Sequence, residues 1–384
     1  MIDRPSEISA VVGLLNRYPV AAIIGARQVG KTVLAKTVAQ QWSGPTTFFD
    51  LENPEDLARL DDPLLALRDL RGLVVIDEIQ RQPELFPVLR VLADQPGRRA
   101  RYLVLGSASP DLLQQSSETL AGRIAYHELG GFSLAEVGAG NHCVLWLRGG
   151  LPRSYLARSH RDSHAWRRQF IQTFLERDLP QLGITIGSAT LCRFWTMLAH
   201  YHAQTWNASE FARSFGVADT TVRGYLDTLS AAMVVRRLLP WHENLGKRQV
   251  KAPKVYVADS GLLHGLLNLP TLADLEAHPK VGASWEGFVI QQIIHRLGAR
   301  SDEVYYWATY AGAELDLLVV RGRRRLGFEV KRTTAPRLTP SMRIALEDLR
   351  LTSLDVIHAG EQTFRLAPKV RAVALRRLLN DLPK

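Results

Sequence analysis

One octapeptide near the start of the chain, Gly25-Ala26-Arg27-Gln28-Val29-Gly30-Lys31-Thr32, does most to limit what this sequence can become. It fits G-x-x-x-x-G-K-[ST], follows the apolar run VAAIIG and precedes the helix-forming TVLAKTVAQQ, so it reads as strand, glycine loop and helix. Glycines let a backbone wrap phosphates closely, and a helix start offers unpaired N–H groups. Lys31 supplies a cation and Thr32 a hydroxyl for Mg²⁺. Residues Gly25 to Val33 are therefore expected to line a nucleotide site. The alternative, a chance glycine turn, does not explain why strand and helix lie on the required sides.

Between Val20 and about His127, the runs VAAIIG, TTFFDL, LVVIDE and YLVLGS alternate with helix-like segments, the pattern of a parallel sheet covered by helices. LVVIDE ends on Asp77 and Glu78, at the strand end where open parallel sheets place their ligands. Asp77 is expected to hold Mg²⁺ and Glu78 to orient and polarise an attacking water, which means hydrolysis rather than binding alone. A solvated acidic turn is the plainer reading. Ser107, after the run YLVLG, is the candidate sensor of the terminal phosphate. Arg123, in LAGRIAYHEL, is the candidate arginine finger toward a neighbouring subunit, although most such arginines are solvated or ion-paired.

With 384 residues the chain is long enough for several cores. The breaks divide it into an ATPase-like segment 1–144, a helical lid 145–187, a winged-helix-like segment 188–245 and a C-terminal α/β segment 246–384. In the third, SEFARSFGV and DTTVRGYLDTLSAA read as helix, glycine turn and helix, with Val222, Leu226 and Leu229 inward and VVRRLLPW as a following wing strand. Asp219 or Thr220 is expected to cap the second helix. Thr220, Thr221 and Arg223 are expected to face nucleic acid, and Arg236 and Arg237 its phosphates. Lys and Arg exceed Asp and Glu by 48 to 38, a net charge of +10 that suits a polyanionic partner such as DNA. The connector Lys247 to Lys254 adds four positive charges and reads as a solvated face. A joint to a protein partner is the alternative.

Near the C-terminus, AELDLLVV and RLGFEVKR flank a basic turn and read as a hairpin. Strand alternation puts Glu329 and Lys331 on one face, and Glu314 and Asp316 together on a face of their own strand. Upstream, the apolar stripe of SWEGFVIQQIIHRLG leaves Glu286 at its margin, able to lean toward the sheet. This order of a helical Glu, an Asp and then Glu-x-Lys resembles the restriction-endonuclease-like nuclease superfamily. The resemblance implies that Asp316 and Glu329 bind Mg²⁺, that Glu286 completes the set and that Lys331 positions or activates water. A salt-bridge cluster, or a nuclease-like core kept as a binding platform, fits the same residues.

GARQVGKT, LVVIDE, LVLGSAS and LAGRIAYHELGGFS together resemble the AAA-type P-loop ATPases of prokaryotes. More narrowly, GGLPRSY, FLERDL and KVYVADSGLL resemble, in that order, phrases of a family of predicted ATPases with an uncharacterised C-terminal domain. The family's loop often has proline where this chain has Ala26. The resemblance implies ATP and Mg²⁺ as ligands and homo-oligomers, rings included. The expected fold class is α/β: a P-loop NTPase (AAA-like) parallel-sheet domain, a helical lid, a winged-helix segment and a restriction-endonuclease-like domain. Cys143 and Cys192 match no metal-ligand spacing, and MIDRPSEISA lacks the layout of a signal peptide. With no run of roughly 18 apolar residues either, the expectation is a cytoplasmic protein that does not enter membranes.

Overall fold

The four apolar runs of the first third become four of five parallel strands: β1 (Val20–Gly25), β2 (Thr46–Asp50), β3 (Gly72–Asp77) and β4 (Ala100–Ser107), with β5 (Ile124–Glu128) as the fifth. In this computed structural model, which describes residues 2–97, 100–107, 119–182, 184–243 and 249–383, they lie in the order β2-β3-β4-β1-β5. Every pairing is parallel. β1 and β3 are buried along almost their whole length, which is why they read as unbroken apolar runs rather than alternating ones. The order places the ends of β1 and β3 on either side of β4, so Gly25 and Asp77 face the same edge of the sheet. These strands belong to the first of two compact units, Met1–Gly131 with Ala231–Met233; the second comprises Phe132–Ser230 and Val234–Lys384.

The second unit contains residues 145–187, expected as a lid, together with everything C-terminal to them apart from 231–233. Its helices are tied by one buried carboxylate. Asp259 accepts from the backbone N–H of Leu262 at 2.9 Å, capping the helix Ser260–Leu266, and from that of Gly150 at 2.7 Å. Gly149 has φ +75°, and a Cβ there would lie 2.0 Å from an Asp259 oxygen. Fully buried Arg167 donates to the carbonyls of Leu147 and Gly261, both at 2.9 Å. The phrases GGLPRSY and ADSGLL therefore meet in space, and the close approach of their backbones demands the glycines.

Further along lie the helices Ser188–His200, Ala208–Phe215 and Asp219–Ala231, with β6 (Gln204–Thr205), β7 (Val235–Pro240) and β8 (Lys254–Val257). β8 runs antiparallel between β6 and β7. Val222, Leu226 and Leu229 are buried, as their spacing predicts. Asp219 is the first helical residue rather than an N-terminal cap; its carboxylate accepts from the Ser209 hydroxyl. After the helix Val281–Leu297 come β9 (Val304–Ala308), β10 (Glu314–Arg321), β11 (Arg324–Lys331), the helix Pro340–Asp348, β12 (Ser353–His358), β13 (Phe364–Ala367) and β14 (Val370–Ala374). β10 and β11 form the expected antiparallel hairpin, with Leu317 opposite Phe328 and Gly322 at φ +58° in the turn. β7 pairs in parallel with β9, so β6–β14 make one nine-stranded sheet. No helix of the described residues is long and apolar enough to cross a membrane.

Asp259→Ala leaves two buried N–H groups without their acceptor and a buried arginine without its nearby counter-charge. It should lower the stability of the second unit by about 3 kcal/mol. An unchanged denaturation midpoint would show that the three segments are held by something else.

Candidate functional site

β1 delivers Gly25 to the edge of the sheet, and the chain then turns through Gln28 (φ 60°) and Gly30 (φ 102°) before the helix Lys31–Gln41. A Cβ on Gly25 would lie 2.5 Å from the Leu129 carbonyl, so only glycine allows the loop to start this close to the neighbouring chain. The Lys31 ammonium is buried and donates to the carbonyls of Gly25 at 3.0 Å and Ala26 at 3.2 Å. Burial lowers its pKa to about 8, against the opposing pull of Glu78 and Asp77. Ala26 accepts through its main chain, which any residue offers. Val29 is buried, while Arg27 pairs with Glu52 at 3.8 Å. Val33 has an exposed side chain, so the expectation for it holds at most for its backbone.

The Thr32 hydroxyl donates to Asp77 at 2.6 Å, joining the first turn of that helix to the end of β3. Asp77 is 3% exposed. Burial raises its pKa while the Thr32 hydrogen bond lowers it, and its second oxygen accepts from the Glu78 N–H at 2.9 Å. Glu78 sits in the left-handed region at φ 56°, a placement that costs a non-glycine residue about 1 kcal/mol or more. Its carboxylate accepts from the Gln80 side-chain amide. Gln80 and Asp50 belong to neither sequence motif, although Asp50 ends β2 opposite Asp77 and closes the run TTFFD with an acid. Ser107 ends β4 beside Gly25, but its side chain and residues 108–118 lie outside those described. Arg123 precedes β5 at the opposite end of the sheet, where it forms an ion pair with Asp94 at 2.6 and 2.8 Å.

In the second unit, Glu286, Asp316, Glu329 and Lys331 meet on one side of the C-terminal sheet, but around a residue the sequence reading placed elsewhere. Lys254, counted there as part of a solvated basic connector, is buried. Its ammonium lies 3.3 Å from Glu286 and 3.8 Å from Asp316, and it also pairs with Glu314. The Tyr256 hydroxyl, two residues along β8, donates to the same Glu286 oxygen at 2.8 Å. The i, i+2 spacing of Lys254 and Tyr256 was the available signal. The other oxygen of Asp316 accepts from the Val330 N–H at 2.8 Å. Glu329 pairs with Lys331 at 2.7 Å through one oxygen, and its other oxygen is buried without a hydrogen-bond partner.

Burial, then the charge of Asp316, raises Glu286 to about 7 and Glu329 to about 8. Burial opposes the charged form of Lys331, yet Asp316 and Glu329 raise its pKa. Asp316, Glu329 and Glu286 were expected to hold Mg²⁺. Among the described residues no three acidic, histidine or cysteine side chains converge as metal ligands, because the Asp316 oxygens are turned to Lys254 and a backbone N–H. As arranged, these residues do not fit a divalent ion.

On the helix Asp219–Ala231, Thr220 and Arg223 are exposed and Thr221 is half-buried. On β7, Arg236 is half-buried, while exposed Arg237 pairs with Asp227. Lys247 and Arg248 of the connector lie outside the described residues.

The sequence matches an AAA domain over residues 17–138 and domains of unknown function over 143–273 (DUF8612) and 281–378 (DUF4143). An uncharacterised protein of Mycobacterium bovis and another of Mycobacterium tuberculosis are each 52% identical to it over 379 residues, 99% of this chain and 85% of theirs. Among solved structures, a Walker-type ATPase of Pyrococcus abyssi is similar in fold. Its identity is 15% and its TM-score 0.50, with 70% of this chain and 96% of that one covered.

Glu286 and Glu329 titrate higher in the folded chain than their ordinary 4.5. Between those values the folded state therefore binds more protons, and its stability falls as pH rises from ~5 to ~8. Denaturation of the second unit at pH 5.5 and 8.5 should show this loss, and Glu329→Gln should remove much of it. Parallel pH profiles for the two proteins would contradict the assignment.

Proposed function

The chain belongs to the same family as these two mycobacterial proteins and carries an AAA-type P-loop ATPase domain, and from that premise we propose that it hydrolyses ATP with Mg²⁺ and lets nucleotide state change how its C-terminal half grips DNA. One observation carries the ATPase part: the Thr32 hydroxyl meets Asp77 at 2.6 Å beside the buried ammonium of Lys31. Thr32 and Asp77 are the residues to hold Mg²⁺, which when bound supplies positive charge for the phosphates. Lys31 exchanges two backbone carbonyls for phosphate oxygens, and the N–H groups from Val29 to Thr32 supply the cradle. Glu78 polarises the attacking water once it leaves the Gln80 amide. Arg123, at the far end of the sheet from its own loop, contributes only to the site of a neighbouring copy, which makes a homo-oligomer part of the proposal.

For DNA, support comes from the net charge of +10 and from the exposed Thr220 and Arg223 at the start of the helix Asp219–Ala231. The order of three helices with a three-stranded antiparallel ladder supports the winged-helix reading. The acid cluster favours binding over cutting, since its carboxylates face the Lys254 and Lys331 ammonium groups and among the described residues no three of them meet as metal ligands. It therefore supports a nuclease-like platform rather than an active nuclease.

Lys31→Ala should weaken nucleotide binding and lower phosphate release about 1,000-fold, whereas Glu78→Gln should bind ATP normally and turn over at least about 100-fold more slowly. Equal turnover by all three proteins contradicts the ATPase assignment. DNA affinity should fall with salt by roughly 0.9 log units per log unit for each phosphate contacted, and Arg223→Ala should reduce that slope by about one contact. Binding of a protein partner with a flat salt profile, and no DNA binding at low salt, favours the alternative of a regulatory switch.

A further inference from the structure

The two ammonium groups of the acid cluster are held differently. Lys331 stays 41% exposed in its side chain, so its head can leave Glu329 for water without moving the backbone. Lys254 is 6% exposed. Its stem rises from the central strand of the β6-β8-β7 ladder, and its Nζ lies 5.8 Å from the Tyr306 ring centre. Three carboxylates, from the helix Val281–Leu297 and from two positions on β10, point at that one nitrogen. Glu286 accepts a hydrogen bond from it, Glu314 pairs with it closely, and Asp316 adds its charge at 3.8 Å.

We propose that Lys254 is the resident cation of this cluster and holds it shut to divalent metal ions. An ion coordinating the Glu286 and Asp316 oxygens that face Lys254 at ~2.1 Å from each could lie no farther than about 5.4 Å from its nitrogen, and a buried ammonium cannot turn away to water. The second Glu329 oxygen is buried and unpartnered. The C-terminal domain therefore contains a latent metal set from which its own lysine excludes metal. This inference does not depend on ATP turnover or on DNA binding.

The test uses Mn²⁺ alone, without nucleotide, on full-length chains that all carry Asp77→Asn to silence the loop site. Bound Mn²⁺ is read by electron paramagnetic resonance. The parent should show no site tighter than about 1 mM. Lys254→Met should gain one site at least tenfold tighter, and adding Asp316→Asn should abolish it. Lys254→Arg, which keeps the charge, should behave as the parent. A folded Lys254→Met protein with no gain overturns the proposal, as does a Lys254→Arg protein that binds as tightly as Lys254→Met. Should Lys254→Met fail to fold, Lys254→Gln takes its place, and the parent remains decisive: tight Mn²⁺ binding by the parent that Asp316→Asn removes overturns the proposal.

Discussion

The hydrogen bond from Thr32 to Asp77 joins the two halves of the nucleotide site before any phosphate arrives. It fixes the first turn of the helix Lys31–Gln41 against the end of β3, and so sets the distance between Lys31 and Asp77. Both groups are buried, and burial pushes each toward its neutral form, with Lys31 down to about 8 and Asp77 upward. A lone lysine or a lone carboxylate at this depth would be costly to keep charged. The charges of Glu78 and Asp77 offset part of that cost for Lys31, and the Thr32 hydroxyl with the Glu78 N–H part of it for Asp77.

The same logic of buried charge organises the second unit with a different outcome. Asp259 collects backbone N–H groups from two distant segments and lies near Arg167, so its cost is met within the protein. The cluster around Lys254 is also closed on itself, with Tyr256 and two lysines meeting four carboxylates. Asp259 is held largely by main-chain groups, whose positions the fold fixes. In the cluster Glu286 and Glu329 are met by side chains, and Asp316 by Lys254 and by one main-chain group, the N–H of Val330.

Legibility in the sequence followed the range of the interactions. β1 and β3 were readable because a strand covered on both faces must be apolar throughout, and the glycine loop because its φ values and close approaches admit few residues. The facing of Glu329 and Lys331, and of Glu314 and Asp316, followed from strand alternation. Lys254 was hidden by local composition. Within KRQVKAPK it is one more basic residue, and only the pairing of β8 beside β7, with β7 beside β9, carries it over the acids. Arg123 was hidden likewise, since Asp94 lies 29 positions away on another element. The grouping of residues 145–187 with the C-terminal half rests on Gly150 and Arg167 meeting Asp259 and Gly261, contacts about 100 residues apart.

Glu78 shows how an acid can be present yet restrained. Its left-handed backbone costs free energy that a glycine in its place would avoid, and its carboxylate is engaged by Gln80, whose own carbonyl oxygen is buried without a partner. A hydrogen bond that leaves one end of its donor amide unsatisfied is a weak restraint. Rotation of the Gln80 amide toward any new donor would satisfy that oxygen and free Glu78 in the same movement. The left-handed backbone at Glu78 fixes where its side chain leaves the end of β3.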